Sequence, residues 1–293
     1  MNTYKAYLNP IRKFNIALIP PLYFNCVVAL GKRESKKEIN WIGTGTLVGR
    51  FFKNKSLNDN HYHIFIVTNR HVMENNSSLV VRFNPLSTHP AKDYDIPVIN
   101  DSGKPTWKSH PNNDIDLAAI CLDADFLRDE EIKYEYFHSD LHLMPLSQMA
   151  KQGLSEGDFI YVLGFPMGIM ASERQYVISR TGIIARLRDA LEGTNKDFMI
   201  DSMIFPGNSG GPVINKPEII SIEGTNSVSS PYLIGIVASY LTYMDTAVSK
   251  QTGQSRVVFE ENSGLAIVIP ADYILETIDS CFATANIKEA LCQ

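Results

Sequence analysis

Short apolar runs separated by Gly, Pro, Asn and Asp make up most of the chain. Runs of this length are typical of β-strands, and their regular spacing with turn residues between them favours a β-sandwich or β-barrel. The candidate strands cover residues 25–30, 41–48, 63–68, 79–83, 116–122, 159–163, 175–183, 198–200, 211–214, 233–239 and 264–269.

The pattern changes after Pro270. In the segment ADYILETIDSCFATANIKEAL apolar residues recur at helical spacing, which predicts a C-terminal helix. Residues 144–158 lack a strand pattern and are suited to cross between two β halves, and the chain has no internal repeat at a fixed period. We therefore expect an all-β protein of two similar halves, closed by a helix.

Composition and charge narrow the classes of function. The chain has 293 residues, 44% of them hydrophobic and 20% charged, which is ordinary for a globular protein. This length suits one large β-domain or two lobes that share a core. The net charge is −5 and no dense block of Lys and Arg occurs, so nucleic acid is not expected as a partner.

The sequence also argues against membrane insertion and export. It contains no stretch of about 18 uninterrupted apolar residues, and Asn and Pro residues interrupt its N-terminal apolar segment. No small-residue cleavage site follows that segment, so a secretory signal is not indicated. Cys26, Cys121, Cys281 and Cys292 lack CxxC spacing, which favours reduced thiols in the cytoplasm.

Candidate chemistry begins at residues 205–213, which read FPGNSGGPV. A plain loop needs one or two glycines, where φ is positive or a neighbour packs closely. Three glycines around Ser209 are what a nucleophile elbow or an oxyanion hole needs, because several backbone N–H groups must face one point with no Cβ in the way.

A serine nucleophile needs a base, and His71 has the most suitable setting of the seven histidines. It follows the apolar run IFIVT, so the end of a buried strand would hold it rigidly at a cleft. The alternative is a polar residue that caps a turn. His61 and His63 alternate on a strand and could share a metal, but no third ligand at suitable spacing is apparent, so surface positions are favoured.

The base in turn needs an acid, for which the segment NNDIDLAAICL offers Asp114 and Asp116. A carboxylate at the mouth of an apolar strand is costly to bury unless it accepts hydrogen bonds. Asp116 directly precedes Leu-Ala-Ala-Ile, so the strand would fix it more tightly than Asp114, two residues farther out on the same face. Each signal alone is weak, but together they give the order His, Asp, Ser.

At this point the sequence resembles a known family, the chymotrypsin-fold serine peptidases, and within it the HtrA/Deg-like bacterial branch. The resemblance covers about residues 22 to 280 and rests on five motifs in order. These are GTGTLV (43–48), TNRHV (68–72), DLAAI (116–120), GFPMG (164–168) and GNSGGPV (207–213).

The resemblance implies two packed six-stranded antiparallel β-barrels with a C-terminal helix. It implies an N-terminal extension, an N-terminal barrel that carries the histidine and the aspartate, a C-terminal barrel that carries the serine, and the helix. The corresponding boundaries are residues 1–21, 22–145, 146–270 and 271–293.

The resemblance also implies a mechanism. His71, Asp116 and Ser209 would form a catalytic triad that passes through an acyl-enzyme, and the backbone N–H groups of Gly207 and Ser209 would form the oxyanion hole. The implied partner is a protein or peptide substrate, and no cofactor or metal is implied. The oligomeric state stays open.

Substrate preference is implied only coarsely. Met203 would line the floor of the pocket for the residue before the scissile bond, and residues 237–240, which include Ala238, Ser239 and Tyr240, would form its wall and pair with substrate backbone. Since no acidic residue lies at the floor position, we expect a small or medium apolar side chain in the pocket. Two residues upstream, Asp201 is expected to be held in local hydrogen bonds.

Three departures from the family pattern are informative. We expect no PDZ-like segment after the helix. Asn208 lies where zymogen-type relatives carry an aspartate that pairs with a new N-terminus, so we expect activity without N-terminal cleavage. Ala238 lies where many relatives have a serine that supports the catalytic acid, which leaves open what completes the hydrogen bonds of Asp116.

Two other classes of function remain open on sequence grounds. A catalytically weak or inactive relative could use the same cleft to bind a peptide, although it would have no need to keep His, Asp and Ser together. An esterase could use the same triad on a non-peptide substrate.

Overall fold

A computed structural model describes residues 17–36, 38–54, 59–171, 173–218 and 227–283. The N-terminal half forms one nine-stranded sheet, in which seven strands follow the order β5-β4-β1-β2-β3-β7-β6, while β8 pairs with β4 and β9 with β2. Its elements are a 3-10 helix (Pro21–Cys26), β1 (Val27–Arg33), β2 (Ile39–Asn54), β3 (Asp59–Thr68), α1 (Arg70–Met73), β4 (Ser78–Pro85), β5 (Lys92–Pro97), β6 (Lys108–Ser109), β7 (Ala118–Cys121), α2 (Ala124–Asp129), β8 (Ile132–Lys133) and β9 (Phe137–His138).

The C-terminal half forms a closed six-stranded barrel in the order β10-β11-β12-β15-β14-β13. Every neighbouring pair in it is antiparallel. Its elements are α3 (Leu146–Gln152), β10 (Phe159–Gly164), a 3-10 helix (Pro166–Gly168), β11 (Ile178–Arg186), α4 (Arg188–Leu191), β12 (Phe198–Asp201), β13 (Pro212–Asn215), β14 (Leu233–Val248), β15 (Ser255–Pro270) and α5 (Ala271–Ala283).

This architecture confirms the fold class expected from the sequence: two β halves and a C-terminal helix. The N-terminal sheet contains more strands than six because short strands such as β6, β8 and β9 lie along its margins. These strands are two residues long, too short to give an alternating pattern. The domain boundaries stay predictions, and residues 1–16 of the N-terminal extension and 284–293 of the helical segment lie outside the described residues.

Strand alternation explains why the N-terminal strands are apolar at consecutive positions. In β1, Val27 and Ala29 face the cluster between the two halves, while Val28 and Leu30 face the interior of the N-terminal sheet. The strands β3 and β7 divide their side chains in the same way. Because successive side chains point to opposite faces of a sheet, a strand with apolar layers on both sides has no polar face.

The two halves meet over the first of these apolar clusters, to which α5 also contributes. Gln175 adds polar contacts across the junction, since its side chain accepts from the Ala29 N–H at 3.1 Å and donates to the Val27 carbonyl at 3.1 Å. The sequence pattern places Gln175 in a strand, but β11 begins at Ile178, because Gln175 bonds to β1 and to Asn84 instead.

The largest departure from the predicted strand boundaries is in β14 and β15. The sequence pattern ends one strand at residue 239 and begins the other at 264, whereas both strands are 16 residues long. Beyond the barrel they pair from Thr242 opposite Asn262 to Val248 opposite Ser255. We call this two-stranded extension, residues 241–262, the ribbon.

The cysteines Cys26, Cys121 and Cys281 are not in disulfides, and Cys292 lies outside the described residues. Burial raises the pKa of the Cys26 thiol well above its usual value and raises the pKa of Cys281 to about 11. These two thiols are therefore protonated at neutral pH and act as small apolar side chains. Over the residues that the structure describes, none of the helices combines the length and the apolar composition needed to span a bilayer.

Candidate active site

The clearest polar contact near Ser209 is the pair formed by His71 and Asp116. Nδ1 of His71 lies 2.6 Å from Oδ2 of Asp116, and the backbone N–H of His71 donates to Oδ1 at 3.1 Å. Both carboxylate oxygens are therefore occupied by one residue. When Nδ1 carries the proton that Asp116 accepts, Nε2 is left as an acceptor.

Local structure fixes this pair. β3 ends at Thr68, which lies opposite Ala118 of β7, so the residues that follow β3 and precede β7 are neighbours. The buried Asn69 donates its amide to the main-chain carbonyl of Asp116 at 2.9 Å. α1 then begins at Arg70 and turns the ring of His71 toward the carboxylate.

Asp114 lies in a different environment. It is exposed and forms an ion pair with Lys196 at 2.6 Å. The hydrogen bond and charge of Lys196 lower the pKa of this carboxyl below its ordinary value. The structure thus brings Asp116, and not Asp114, into contact with His71.

The glycines around Ser209 meet specific steric demands. Gly207 and Gly210 have φ values of +95° and +87°, where side chains with a Cβ are strained. A Cβ on Gly207 would collide with the carbonyl oxygen of Phe165, and one on Gly210 would collide with Thr44 and Thr68. These two positions therefore require glycine for conformation and for close packing.

Two N–H groups of the same loop are left without a protein acceptor in the part of the chain that the structure describes. The carbonyl of Pro206 accepts from the Met167 N–H at 2.6 Å, so this carbonyl is committed to the GFPMG turn. In the described residues neither the Gly207 nor the Ser209 N–H donates to another protein group. Both donors are therefore available to a ligand.

Buried threonine hydroxyls hold this loop from the N-terminal sheet, a role that sequence reasoning missed. Thr44 donates its hydroxyl to the Gly207 carbonyl at 2.6 Å and its N–H to the Ser209 carbonyl at 2.8 Å. Thr46 donates to the Gly210 carbonyl at 2.8 Å. The signal was the GTGT repeat of β2, where two threonines share one face of an apolar strand.

The hydroxyl of Ser209 points to the wall of the cleft. It donates to the Ala238 carbonyl at 3.4 Å, which is a long hydrogen bond. No hydrogen bond between Ser209 and His71 is present in the described residues, although Ser209 packs near Val72 through their shared neighbour Gly43. Contacts of this kind are often long in ligand-free sites and shorten when substrate binds.

Met203, the residue expected at the floor of the pocket, lies close to Asp201. Both side chains lie next to Gly264, which has a φ of +83°. A Cβ added to Gly264 would be 3.8 Å from the sulfur of Met203 and 3.7 Å from a carboxylate oxygen of Asp201. Asp201 is exposed, and no hydrogen bond holds its carboxylate in the described residues. The expectation that local hydrogen bonds occupy Asp201 is therefore wrong, because its strand end leaves it at the surface.

The wall residues of β14 differ from one another. Ala238 is 7% exposed and belongs to the cluster between the halves, whereas Ser239 is exposed. Tyr240 is partly buried and packs against the core of the C-terminal barrel. A β-bulge between Val237 and Ser239 separates these orientations.

Asn208 is buried within the loop of Ser209. Its side-chain oxygen accepts from the Phe205 N–H at 3.2 Å, and its Nδ2 atom is buried without a protein partner. The side chain therefore braces the loop as a neutral amide.

The sequence left a metal shared by His61 and His63 as an alternative to surface positions. His63 packs against Phe282, and the side chain of His61 lies outside the described side chains. Among the described residues, no three possible metal ligands form a cluster.

Comparisons with known proteins identify the family of the chain. A family model described as a trypsin-like peptidase domain matches residues 43–218, more than half of the chain. No curated protein matches the sequence. Similar solved structures include human heparin binding protein, with a TM-score of 0.48 and 10% identity over 91% of this chain and 95% of that one. An atomic resolution structure of HBP gives a TM-score of 0.45 and 10% identity over 90% and 94%. Because the domain model matches more than half of the chain, from within β2 to beyond β13, the chain belongs to the trypsin-like peptidase domain family.

Proposed function

We propose that the protein is a serine endopeptidase whose catalytic triad consists of His71, Asp116 and Ser209. The observation that carries the proposal is the contact of 2.6 Å between His71 Nδ1 and Asp116 Oδ2, next to a glycine loop with two unused N–H groups. An imidazole held by a carboxylate at Nδ1 has Nε2 available as a base, which a serine hydroxyl needs at neutral pH.

In the proposed mechanism the substrate carbonyl lies against Ser209 with its oxygen facing the N–H groups of Gly207 and Ser209. His71 accepts the proton of the Ser209 hydroxyl as the oxygen attacks the carbonyl carbon, and the negative charge develops on the carbonyl oxygen. His71 then gives that proton to the leaving amine, which yields the acyl-enzyme. Water, deprotonated by His71, releases the acid and restores Ser209.

Asp116 is assigned the role of orienting His71 and stabilising the imidazolium. Its carboxylate accepts from both the ring and the backbone N–H of His71, so no hydroxyl from β14 is needed at the position of Ala238. Asp114, paired with Lys196, has no such role in the proposal.

We also propose that the pocket formed by Met203, Ala238, Ser239 and Tyr240 selects small or medium apolar residues before the scissile bond. The exposed thioether of Met203 provides an apolar floor. The nearby carboxylate of Asp201 is the group most able to change this preference. The five motifs named above support a position in the HtrA/Deg-like branch, and the unbridged thiols support a cytoplasmic location.

Hydrolysis of a peptide library by the wild type and by Ser209→Ala tests the proposal. Removing a triad nucleophile typically costs on the order of 10⁶ in rate. Since Ser209 makes one long side-chain hydrogen bond, the variant should unfold at an unchanged temperature, which controls for misfolding. Hydrolysis by the alanine variant at a rate comparable with the wild type would contradict the assignment of Ser209 as the nucleophile.

One observation favours a second candidate, a peptide-binding protein without turnover. The Ser209 hydroxyl donates to Ala238 and not to His71 in this conformation. Such a protein would bind library peptides without cutting them, and an esterase would hydrolyse acyl esters while leaving peptides intact.

A further inference from the structure

The ribbon continues beyond the barrel pairing, and in the part of the chain that the structure describes its residues 242–248 and 255–261 are exposed. A hairpin of two strands alone is marginally stable in water, so an unpartnered one suggests a binding role. Six apolar side chains on its two faces are each more than half exposed: Tyr243, Met244, Val248, Val257, Val258 and Phe259.

One edge of this ribbon is continuous with the candidate active site. β13 pairs with β14 as far as Ile236, and the loop of Ser209 occupies the same edge at Val237, whose carbonyl accepts from the Gly210 N–H and whose N–H donates to the Gly211 carbonyl. In the described residues no strand pairs with β14 on that side beyond Val237. The carbonyl of Ala238, at the start of the free edge, is 3.4 Å from the Ser209 hydroxyl. The free edge then continues through Tyr240 to Val248, with a bulge at Leu241 where the strand leaves the barrel.

The pairing of β14 also sets the direction in which a bound chain can run. A residue that occupies the proposed pocket lies beside Ala238, and the chain upstream of it must follow β14 one way or the other. Toward Leu233 the edge is already occupied by β13. The upstream chain therefore has to run toward Val248, antiparallel to β14.

We propose that an extended peptide segment, upstream of the scissile bond, adds to the ribbon as a third strand along residues 241–248 of β14. This inference rests on the proposed function of the cleft and names its substrate class: unfolded or extended polypeptide with about eight further residues before the cut. At about 3.3 Å per residue, the free edge spans roughly 26 Å.

A second copy of the chain is a less suitable occupant of this edge. Pairing of two copies through β14 would cover the approach to Ser209, whereas a substrate strand leads directly into it. The ribbon carries Asp245, Glu260 and Glu261 against Lys250 and Arg256, and the whole chain has a net charge of −5, so like charge opposes self-pairing. The same charges favour a segment with basic residues on alternate positions.

A ladder of fluorogenic substrates tests the proposal. The peptides are acetylated, carry one to four Thr-Lys repeats, and end in Ala-Val-7-amino-4-methylcoumarin. Each added cross-strand pair should raise kcat/KM roughly 1.5- to 5-fold, so the longest peptide should exceed the shortest by about tenfold or more. N-methylation of alternate upstream residues, which removes main-chain donors, should abolish this increase.

Matched variants locate the effect on the ribbon. Tyr243→Ser and Met244→Ser alter β14, next to the added strand, and should flatten the dependence on length. Val257→Ser alters another apolar residue that is more than half exposed, on β15 and away from the free edge of β14, and should leave the dependence intact. The rate of each preparation is divided by its concentration of reactive Ser209, measured by titration with a fluorophosphonate.

Binding of the same peptides, as C-terminal amides, to Ser209→Ala protein separates this inference from the proposed function. If Ser209 is not labelled but affinity still rises with length, the peptidase assignment fails and the ribbon surface stands. Values of kcat/KM and Kd that do not change beyond the shortest peptide would overturn the ribbon proposal. A dimer in sedimentation that Tyr243→Ser dissociates would also overturn it, in favour of a second copy.

Discussion

The two strands that line the candidate site, β2 and β14, have the same length of 16 residues but opposite environments. β2 is buried from Gly43 to Gly49 and uses threonine hydroxyls to hold the loop of Ser209. β14 is buried only as far as Ala238 and is mostly exposed from there to its end. The site therefore has one side fixed by buried hydrogen bonds and one side open to a bound chain.

This difference separates two tasks. Reacting groups must be held within fractions of an ångström, which buried hydrogen bonds with few alternatives achieve. A surface that binds extended chains of varied sequence needs main-chain donors, acceptors and apolar side chains that solvent can reach. We expect substitutions on the β2 side to change rates and stability sharply, and those on the β14 side to change preferences gradually.

The largest effect is expected for Asp116→Asn, which tests the fixed side of the site. An amide would stabilise the wrong tautomer of His71 and lose the imidazolium partner, so the rate should fall by about 10⁴. Asp114→Asn is the matched control and should have a small effect, since its carboxylate pairs with exposed Lys196. If the two variants exchange these outcomes, Asp114 is the catalytic acid.

On the open side, the cleavage profile of a peptide library tests the pocket. Val, Ala or Leu before the cut should outperform Lys or Arg by at least about 10²-fold, because a buried cation without a carboxylate loses several kcal/mol of hydration. Differences among apolar residues should correspond to about 1–3 kcal/mol.

Asp201→Asn sharpens this test, because Asp201 lies at the same glycine as Met203. An unchanged profile in the variant would place its carboxylate outside the pocket. A majority of wild-type cuts after Lys or Arg, lost in Asp201→Asn, would contradict the apolar preference and identify the acid responsible.

The sequence alone predicted the strand ends that carry His71 and Asp116, but not the threonine side chains that hold the loop of Ser209. The apolar run that ends at Thr68 and the one that begins after Asp116 predicted two strand ends, and pairing in the sheet brings those ends together. For Thr44 and Thr46 the GTGT repeat was a weaker signal, because threonine is an ordinary β-strand residue and only its hydrogen-bond partner in the loop of Ser209 reveals its role.

The ribbon was missed for a related reason. In β14 and β15 beyond the barrel, apolar and polar residues occur on both faces, so no periodicity of two is present. An unpartnered hairpin has no core to impose one. The local hydrogen bonds expected at Asp201 also depended on tertiary surroundings that a single strand pattern does not contain.

A moderate effect on stability is expected for Thr46→Val, which compares β2 with β14 directly. The substitution keeps the shape but leaves the buried carbonyl of Gly210 without its donor, at a cost of about 1–3 kcal/mol in unfolding free energy. Thr246→Val makes the same change on the exposed ribbon and should stay within about 0.5 kcal/mol. Equal effects in thermal unfolding would contradict the distinction.

The smallest effect concerns the pH dependence of stability at the junction of the halves. Nδ1 of His142 accepts from the His138 N–H at 3.1 Å, and burial lowers the pKa of both rings below the ordinary 6.5. The unfolded chain then binds protons that the folded chain excludes, so stability is complete above pH 6.5 and declines as pH falls below it. His142→Gln should reduce this decline in unfolding scans, whereas His89→Gln, at an exposed position, should not.

The reaction of the uncleaved protein with a fluorophosphonate, followed by intact mass and peptide mapping, tests the central claim most directly. Asn208 is a buried neutral amide and offers no carboxylate to a new N-terminus, so no processing step should be needed. We predict one adduct on Ser209 in the full-length protein, absent in Ser209→Ala and strongly slowed in His71→Ala. A full-length protein that gains no adduct, or an adduct that persists in Ser209→Ala, would contradict the assignment of this site.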